Sequence, residues 1–159
     1  MKKSILQSIK YIIPILCSIL IVIGFVKNYK YYPIYDKPIH TIIEKYNNQY
    51  KMWRSTIKSS DKETTYSYIW LNGTENVGQI KNSSYTKINI IADTKIGKSK
   101  IILWDEKKNI ILTEELSNEK KYNIALELEP GNYQIMIVGK NFTGEVLLQK
   151  TEQDTIEII

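Results

Sequence analysis

The sequence predicts a mainly β protein: an antiparallel β-sandwich of about seven to nine short strands, preceded by a transmembrane helix and a short amphipathic helix. Three observations support this fold class. Residues 11–26 contain no charged side chain, apolar side chains recur at helical spacing from Ile39 to Ile57, and short β-branched or aromatic runs begin at Tyr66. The 159 residues accordingly divide into a cytoplasmic tail with its anchor (1–27), a linker with a basic amphipathic helix (28–65) and a β-sandwich domain (66–159).

The first element is an apolar segment that we interpret as a single-pass membrane anchor. The run from Ser4 to Val26 has Lys10 as its one charged residue. At about 1.5 Å per residue this run can cross a hydrocarbon core of about 30 Å. A cleaved signal peptide is the alternative, because two lysines precede the apolar run, although no Ala-x-Ala cleavage site follows it. The predicted membrane segment includes Tyr11, Pro14, Cys17, Leu20, Gly24 and Val26.

The charges on either side of the apolar run leave its orientation open. Three lysines precede the uncharged residues 11–26 and four lysines follow them up to Lys45. The positive-inside rule therefore gives no clear bias. A short tail followed by a β-rich domain without cysteine suits export. We therefore expect a cell-membrane protein with its N-terminus in the cytoplasm and its C-terminal domain outside the cytoplasm.

The linker is expected to end the membrane helix and to begin a second helix. Pro33 and Pro38 each bias the preceding residue away from helical geometry. Beyond them the apolar spacing predicts an amphipathic helix. Its stripe either lies on anionic lipid headgroups or packs on the core of the β-domain. The stripe consists of Ile39, Ile42, Ile43, Tyr46, Tyr50, Trp53 and Ile57.

The β-domain is predicted from short strands separated by turn residues every eight to twelve positions or so. Ile88 and Ile90 alternate with polar neighbours, and so do the apolar residues from Tyr133 to Ile137. Such strands have one inward face, which favours an antiparallel sandwich or barrel. The predicted strands are Tyr66–Leu71, Val77–Lys81, Tyr85–Asp93, Lys100–Asp105, Asn109–Glu115, Tyr122–Leu128, Tyr133–Gly139, Glu145–Thr151 and an edge piece at Thr155–Ile159.

Three turns support this division. Pro130 and Gly131 occupy the central positions of a predicted type II turn, in which the third residue needs a positive φ. Asn72-Gly73 is predicted to close the first hairpin, and residues 105–109 are predicted to form a four- or five-residue hairpin loop.

The alternating pattern from Leu126 through the Pro130-Gly131 turn and Tyr133 to Leu148 resembles the last strands of small bacterial secreted β-sandwich modules of the pre-peptidase C-terminal type. Such modules are accessory domains without catalysis. The resemblance implies a role in attachment or binding and assigns no site residues.

A second comparison is with the minor pseudopilins, in which an apolar helix continues into an amphipathic helix and then a sheet. Here Gly24-Phe25 follows the apolar run instead of preceding it, and Pro33 and Pro38 interrupt the helix. An assembly component of this kind stays an alternative.

Charge and residue counts exclude several classes of function. The net charge is +5, but residues 59–159 carry twelve basic and fifteen acidic side chains, so the predicted folded domain is slightly acidic. A nucleic-acid-binding domain would concentrate its basic residues there. A single His and a single Cys argue against catalytic triads and zinc sites. We expect no cofactor, no metal site, no catalytic residues and no nucleic-acid partner.

Aromatic residues offer the strongest binding hypothesis for the domain. Trp53, Trp70 and Trp104, with the many tyrosines, could form a flat platform for sugar rings. The alternative is that Trp70 and Trp104, each in an apolar strand, belong to the core. Solvent exposure of Trp70 or Trp104 distinguishes the two interpretations.

Together these observations predict a small bacterial membrane protein that presents a non-enzymatic β-sandwich for binding, or for an accessory or immunity-like interaction, at the cell envelope. The expected partners are the lipid bilayer and either an envelope protein or a cell-surface carbohydrate. The alternatives are a carbohydrate-binding module and a pseudopilin-like component.

Overall fold

The computed structural model describes residues 12–23, 34–60, 62–117, 120–150 and 156–157. It divides into two compact units, residues 1–30 and residues 31–159. In the first unit, residues 12–23 form helix α1, in which Ser18 Oγ donates a hydrogen bond to the Pro14 carbonyl at 2.8 Å. Within the described residues, no helix has the length and apolar character needed to cross a membrane. Of the predicted membrane segment, Pro14, Cys17 and Leu20 lie in α1, whereas Tyr11, Gly24 and Val26 lie outside the described residues.

The second unit is mainly β, with one short helix and antiparallel strand pairing throughout the described sheet. Its elements are α2 (Ile39–Lys45), β1 (Tyr50–Lys51), β2 (Arg54–Ser59), β3 (Glu63–Asn82), β4 (Thr86–Asp105), β5 (Ile110–Ser117), β6 (Lys120–Leu128), β7 (Gly131–Lys150) and β8 (Ile156–Glu157).

Three long strands organise the sheet into two halves. The front half-sheet contains β2, the first part of β3, the second part of β7, the first part of β4, and β6. The back half-sheet contains β1, β8, the second part of β3, the first part of β7, the second part of β4, and β5. Register shifts mark the bends of β3 and β4 where the strands pass from one half to the other. The same strands therefore run through both half-sheets, which pack face to face as a sandwich.

The main core lies between the half-sheets. Both halves contribute to one buried apolar cluster, because alternate residues of each strand point inward. Its fully or almost fully buried members include Leu71, Ile90, Ile101, Leu103, Leu116, Leu128, Ile135, Ile137 and Phe142.

A second core lies on the outer face of the back half-sheet, where α2 covers it. Ile42 and Ile43 of α2 are buried against Ile102, Trp104 and Met136 of the sheet. Of the two interpretations of the amphipathic stripe, this contact corresponds to packing on the β-domain.

Tyr35 fixes the segment before α2 to the sheet. Its hydroxyl donates to the Ser99 carbonyl at 3.4 Å, and the Lys100 ammonium lies 4.6 Å from the centre of its ring. Lys100 also donates to the Tyr35 carbonyl at 3.3 Å and pairs with Glu115 at 2.9 Å. Burial, followed by the nearby carboxylates of Glu115 and Asp36, raises the pKa of the Tyr35 phenol to about 12. The phenol is therefore neutral at physiological pH and stays a hydrogen-bond donor.

Two predicted elements differ from the structure. The helix continues only to Lys45, because Tyr46 already leaves helical geometry with a φ of −121° and a ψ of 28°. The positive φ of 52° at Asn48 follows, and Tyr50 and Ile57 lie in strands. Each long strand joins two strands that were predicted separately. The predicted strands at Tyr66–Leu71 and Val77–Lys81 are both parts of β3. In the same way β4 joins the predictions at 85–93 and 100–105, and β7 joins those at 133–139 and 145–151.

The predicted turns have mixed outcomes. The hairpin at residues 105–109 is confirmed, with Asp105 accepting hydrogen bonds from the backbone of Lys107 and Asn109. The hairpin at Asn72-Gly73 is wrong, because β3 continues through a bulge there. The type II geometry at Pro130-Gly131 is also wrong, since Gly131 lacks a positive φ and this connection leads from the front half-sheet to the back one.

Candidate functional site: an aromatic corner

The candidate site lies where neighbouring strands bend between the half-sheets. We call it the aromatic corner and define it by four segments that follow one another across the sheet. Backbone pairing joins these segments: the Trp53 amide donates to the Ile69 carbonyl at 3.2 Å, and Thr143 lies opposite Ile96. The segments are Met52–Trp53, Ile69–Asn72, Lys140–Thr143 and Lys95–Lys98.

Bending requires unusual backbone geometry in these segments. Gly97 has a φ of +80°, and a Cβ there would lie 2.2 Å from the Asn141 carbonyl oxygen, so this position requires glycine. Asn141 has a φ of 53°, which asparagine tolerates well. Trp70 has a φ of 62°. For a bulky residue this conformation costs about 1–3 kcal/mol and persists only where its surroundings enforce it.

Hydrogen bonds hold Trp70 in this conformation. Its indole Nε1 donates to Asn141 Oδ1 at 2.7 Å, and its amide donates to Thr143 Oγ1 at 3.3 Å. Asn72 supports Asn141 from the interior, because its Nδ2 donates to Asn141 Oδ1 at 3.3 Å and its Oδ1 accepts from the Asn141 amide at 2.8 Å. Asn72 is itself buried. A polar network thus fixes the indole ring.

The corner exposes large apolar side chains to solvent. Trp53 is 79% exposed, Ile96 60%, Ile69 42% and Trp70 37%. Isolated apolar residues on a surface are ordinary, but four exposed apolar side chains on paired segments, two of them tryptophans, make this corner the candidate binding surface. The corner therefore combines flat aromatic surface with nearby amide and hydroxyl groups.

The structure separates the two tryptophans that the sequence singled out. Trp104 is 5% exposed and packs in the second core beneath α2, so it lies outside the corner. Trp70 is partly exposed and lies within the corner. Trp53, the third tryptophan of the predicted platform, also lies in the corner, although its spacing had placed it on the helical stripe. Its position after a break at Met52, between two short strands, is the feature that exposes it.

Several carboxylates that are neighbours in the sequence have structural roles. Glu115 pairs with Lys100, Glu127 pairs with Lys87 at 3.1 Å, and Asp105 caps the β4–β5 hairpin. Hydrogen bonds from Asn109, which outweigh a small opposing effect of desolvation, lower the pKa of Asp105. Within the described part of the chain, no three His, Cys, Asp or Glu side chains come together as a metal site would require.

One titratable group is buried in an unusual setting. Glu75 in β3 lies beside Tyr68, and both the Glu75 Oε2 atom and the Tyr68 hydroxyl are buried without a well-aligned hydrogen-bond partner among the described residues. Burial raises the pKa of Glu75, and the nearby phenol lowers it by a smaller amount. Burial, together with the Glu75 charge, also raises the pKa of Tyr68. Glu75 lies outside the aromatic corner and bears on stability.

No protein-family model matches the sequence, and no curated protein matches it. The comparison with solved structures gives matches of low identity. A carbohydrate-binding module of Cellvibrio mixtus lichenase 5A, solved with cellotriose, has 9% identity and a TM-score of 0.41, over 67% of this chain and 92% of that one. A family 29 carbohydrate-binding module has 12% identity and a TM-score of 0.36, over 65% and 74%. An exo-beta-1,3-galactanase from Phanerochaete chrysosporium has 11% identity and a TM-score of 0.38, over 65% and 27%.

Proposed function

We propose that this chain is a membrane-anchored, non-catalytic binding protein and that its aromatic corner binds carbohydrate. The observation that carries the proposal is Trp70, a partly exposed tryptophan held at a positive φ by the Asn72–Asn141 network. A position selected for stability alone would favour glycine or asparagine at this φ. An indole at this φ is therefore better explained by recognition.

The corner has the two kinds of group that a sugar ring requires. A pyranose has faces of C–H groups that stack on an aromatic ring, and Trp53 and Trp70 offer such rings. Its rim of hydroxyl groups needs hydrogen-bond partners, and the side chains of Asn141 and Thr143 lie beside Trp70. Binding sites typically combine apolar surface with a few placed polar groups in this way.

The proposed location follows from the N-terminal segment. In α1 the apolar side chains from Ile12 to Ile23 are exposed, each by more than 40%. Such a surface is unfavourable in water and suits a lipid environment. We propose that residues 4–26 form a single-pass anchor in the cell membrane, with the β-domain outside the cytoplasm as an accessory module.

Intrinsic fluorescence tests the proposal directly, because all three tryptophans lie in the second unit, residues 31–159. Oligosaccharides should shift the emission of the full-length chain and protect it from iodide quenching. Trp53→Phe and Trp70→Phe should each reduce this response, and Trp70→Ala should abolish binding.

Trp104→Phe is the matched control. Because Trp104 is buried under α2, this variant should bind normally and lose only the emission of a shielded indole. Carbohydrate binding that persists in the Trp53→Ala/Trp70→Ala double variant would refute the site. For the anchor, recovery of the full-length chain in the soluble fraction after carbonate washing would be the contrary result.

A further inference from the structure

We propose that the aromatic corner binds an acidic oligosaccharide laid across the strands, with Lys95 and Lys98 contacting its carboxylate or phosphate groups. This inference rests on the proposed carbohydrate binding and adds the charge and the direction of the ligand.

The direction follows from the order of the strands at the corner. Trp53 leads into β2, Trp70 lies in β3, Asn141 in β7 and Ile96 in β4, and these strands are successive neighbours. With neighbouring strands about 4.8 Å apart, the line from Trp53 to Ile96 spans about 14 Å. This length suits a short chain of sugar rings rather than a single ring.

The charge follows from the residues at the β4 end of this line. The four corner segments contain Lys95, Lys98 and Lys140 and no carboxylate. Lys140 is neutralised by Asp36 at 2.7 Å. Lys95 and Lys98 are exposed and form no ion pair with a carboxylate of the described residues.

The register places Lys98 beside an ion pair. Lys98 lies directly opposite Lys140 across β4 and β7. Because Asp36 pairs with Lys140, Lys98 is the cation of this facing pair without a carboxylate partner among the described residues, and a bound anion would supply one.

Carboxylates limit the basic surface on its other side. Asp93 and Glu145 lie opposite each other on the front half-sheet, beyond Lys95. An acidic group on the ligand would therefore be directed toward Lys98 and away from these carboxylates.

The fixed Trp70 ring favours a glycan over an anionic lipid surface. Docking on headgroups requires apolar area and positive charge, but it does not require an indole held at a strained φ by two asparagines. A ligand with defined rings and hydroxyl groups does gain from such preorganisation.

The test uses the full-length chain in a neutral, non-glycosidic detergent and titrates it with matched pairs of ligands. The pairs are oligogalacturonate with its methyl ester, and a phosphorylated mannan oligosaccharide with its dephosphorylated form. We expect the acidic member of at least one pair to bind about tenfold more tightly than its neutral counterpart, because two exposed ion pairs form. Added salt should reduce this preference.

Variants identify the lysines. The double variant Lys95→Gln/Lys98→Gln should lose the preference for the acidic ligand and keep its affinity for the neutral one. Lys107→Gln, in the exposed β4–β5 hairpin, is the matched control and should behave as the wild type. A preference within the galacturonate pair would identify the recognised group as a carboxylate, and a preference within the mannan pair would identify it as a phosphate.

Three results would overturn the inference. Equal affinity for both members of each pair, or a double variant that keeps the preference, would refute the acidic ligand and leave carbohydrate binding intact. A wild-type chain that binds no oligosaccharide would refute the proposed function itself. The third result is binding to phosphatidylserine vesicles that depends on Lys95 and Lys98 and that oligosaccharide does not compete with. It would show that these lysines contact a lipid surface and not a glycan.

Discussion

Neutralising Glu75 should stabilise the protein at neutral and alkaline pH. Burial raises the pKa of Glu75, so the folded chain holds the carboxyl proton more tightly than the unfolded chain does. The free energy of unfolding must therefore fall as pH rises from the unfolded pKa of about 4.3 toward the higher pKa of the folded state. Glu75→Gln keeps the shape of the side chain and removes this pH-dependent loss.

The magnitude follows from the environment of the carboxylate. Its Oε2 atom is buried beside the Tyr68 hydroxyl without a well-aligned partner among the described residues. An unsatisfied buried polar atom costs about 1–3 kcal/mol, and the Gln amide recovers part of this by interacting with the phenol. We expect Glu75→Gln to stabilise the β-domain by about 1 kcal/mol at pH 8, which corresponds to an increase of about 3–5 °C in Tm. At pH 4, where the folded carboxyl is protonated, the change should be close to zero.

Thermal unfolding of the full-length chain, followed by circular dichroism at pH 4 and pH 8, measures this difference. Glu129→Gln is the control, because Glu129 is exposed and its neutralisation should leave Tm nearly unchanged at both pH values. A Glu75→Gln variant that is equally stabilised at both pH values, or destabilised at pH 8, would refute the role assigned to desolvation.

Two further predictions test the packing that positions the corner and the helix. Gly97→Ala should destabilise the fold by about 1–3 kcal/mol in chemical denaturation, because its Cβ would collide with the Asn141 carbonyl at a positive φ. Gly78→Ala is its control, since a Cβ there meets open space, and equal effects of the two variants would contradict the steric argument. Ile42→Ala should cost about 2–5 kcal/mol, because Ile42 is fully buried between α2 and the back half-sheet. Ile111→Ala, at a 44% exposed position, should cost much less, and a similar loss from both would argue against the α2 contact as a second core.

The fold class was predictable because its main signal is local. The alternation of β-branched and polar residues in segments such as Lys87–Ile90 defines an inward face without any knowledge of partners. The continuity of the strands was not predictable in the same way. Asn72-Gly73 has the composition of a tight turn and also of a bulge, and only its pairing with β1 and β7 distinguishes the two.

The boundary of α2 shows how a correct pattern can extend too far. Tyr50 and Trp53 continue the spacing of three and four residues by coincidence, after the helix has ended. The Asn47-Asn48 pair was the available signal, because asparagine favours turns and tolerates the positive φ that Asn48 adopts. Extending the helix past this pair placed Trp53 on the helical stripe, whereas Trp53 is the most exposed aromatic side chain among the described residues.

No rule based on local sequence predicts that Trp70 is partly exposed and Trp104 buried. Both occupy apolar strand segments, and their burial depends on what covers them: α2 covers Trp104, whereas Trp70 lies at a bend that the described part of the chain leaves open.

The bend also explains how the groups of the corner are held in place. Gly97 lets the β4 backbone approach Asn141, Asn141 holds the indole, and Asn72 holds Asn141 from the core, so each group fixes the next. Two or three hydrogen bonds worth about 0.5–1.5 kcal/mol each are enough to offset a strain of about 1–3 kcal/mol at Trp70. The network thus maintains an exposed indole in one orientation at little net gain in stability, which is the balance expected of a binding residue.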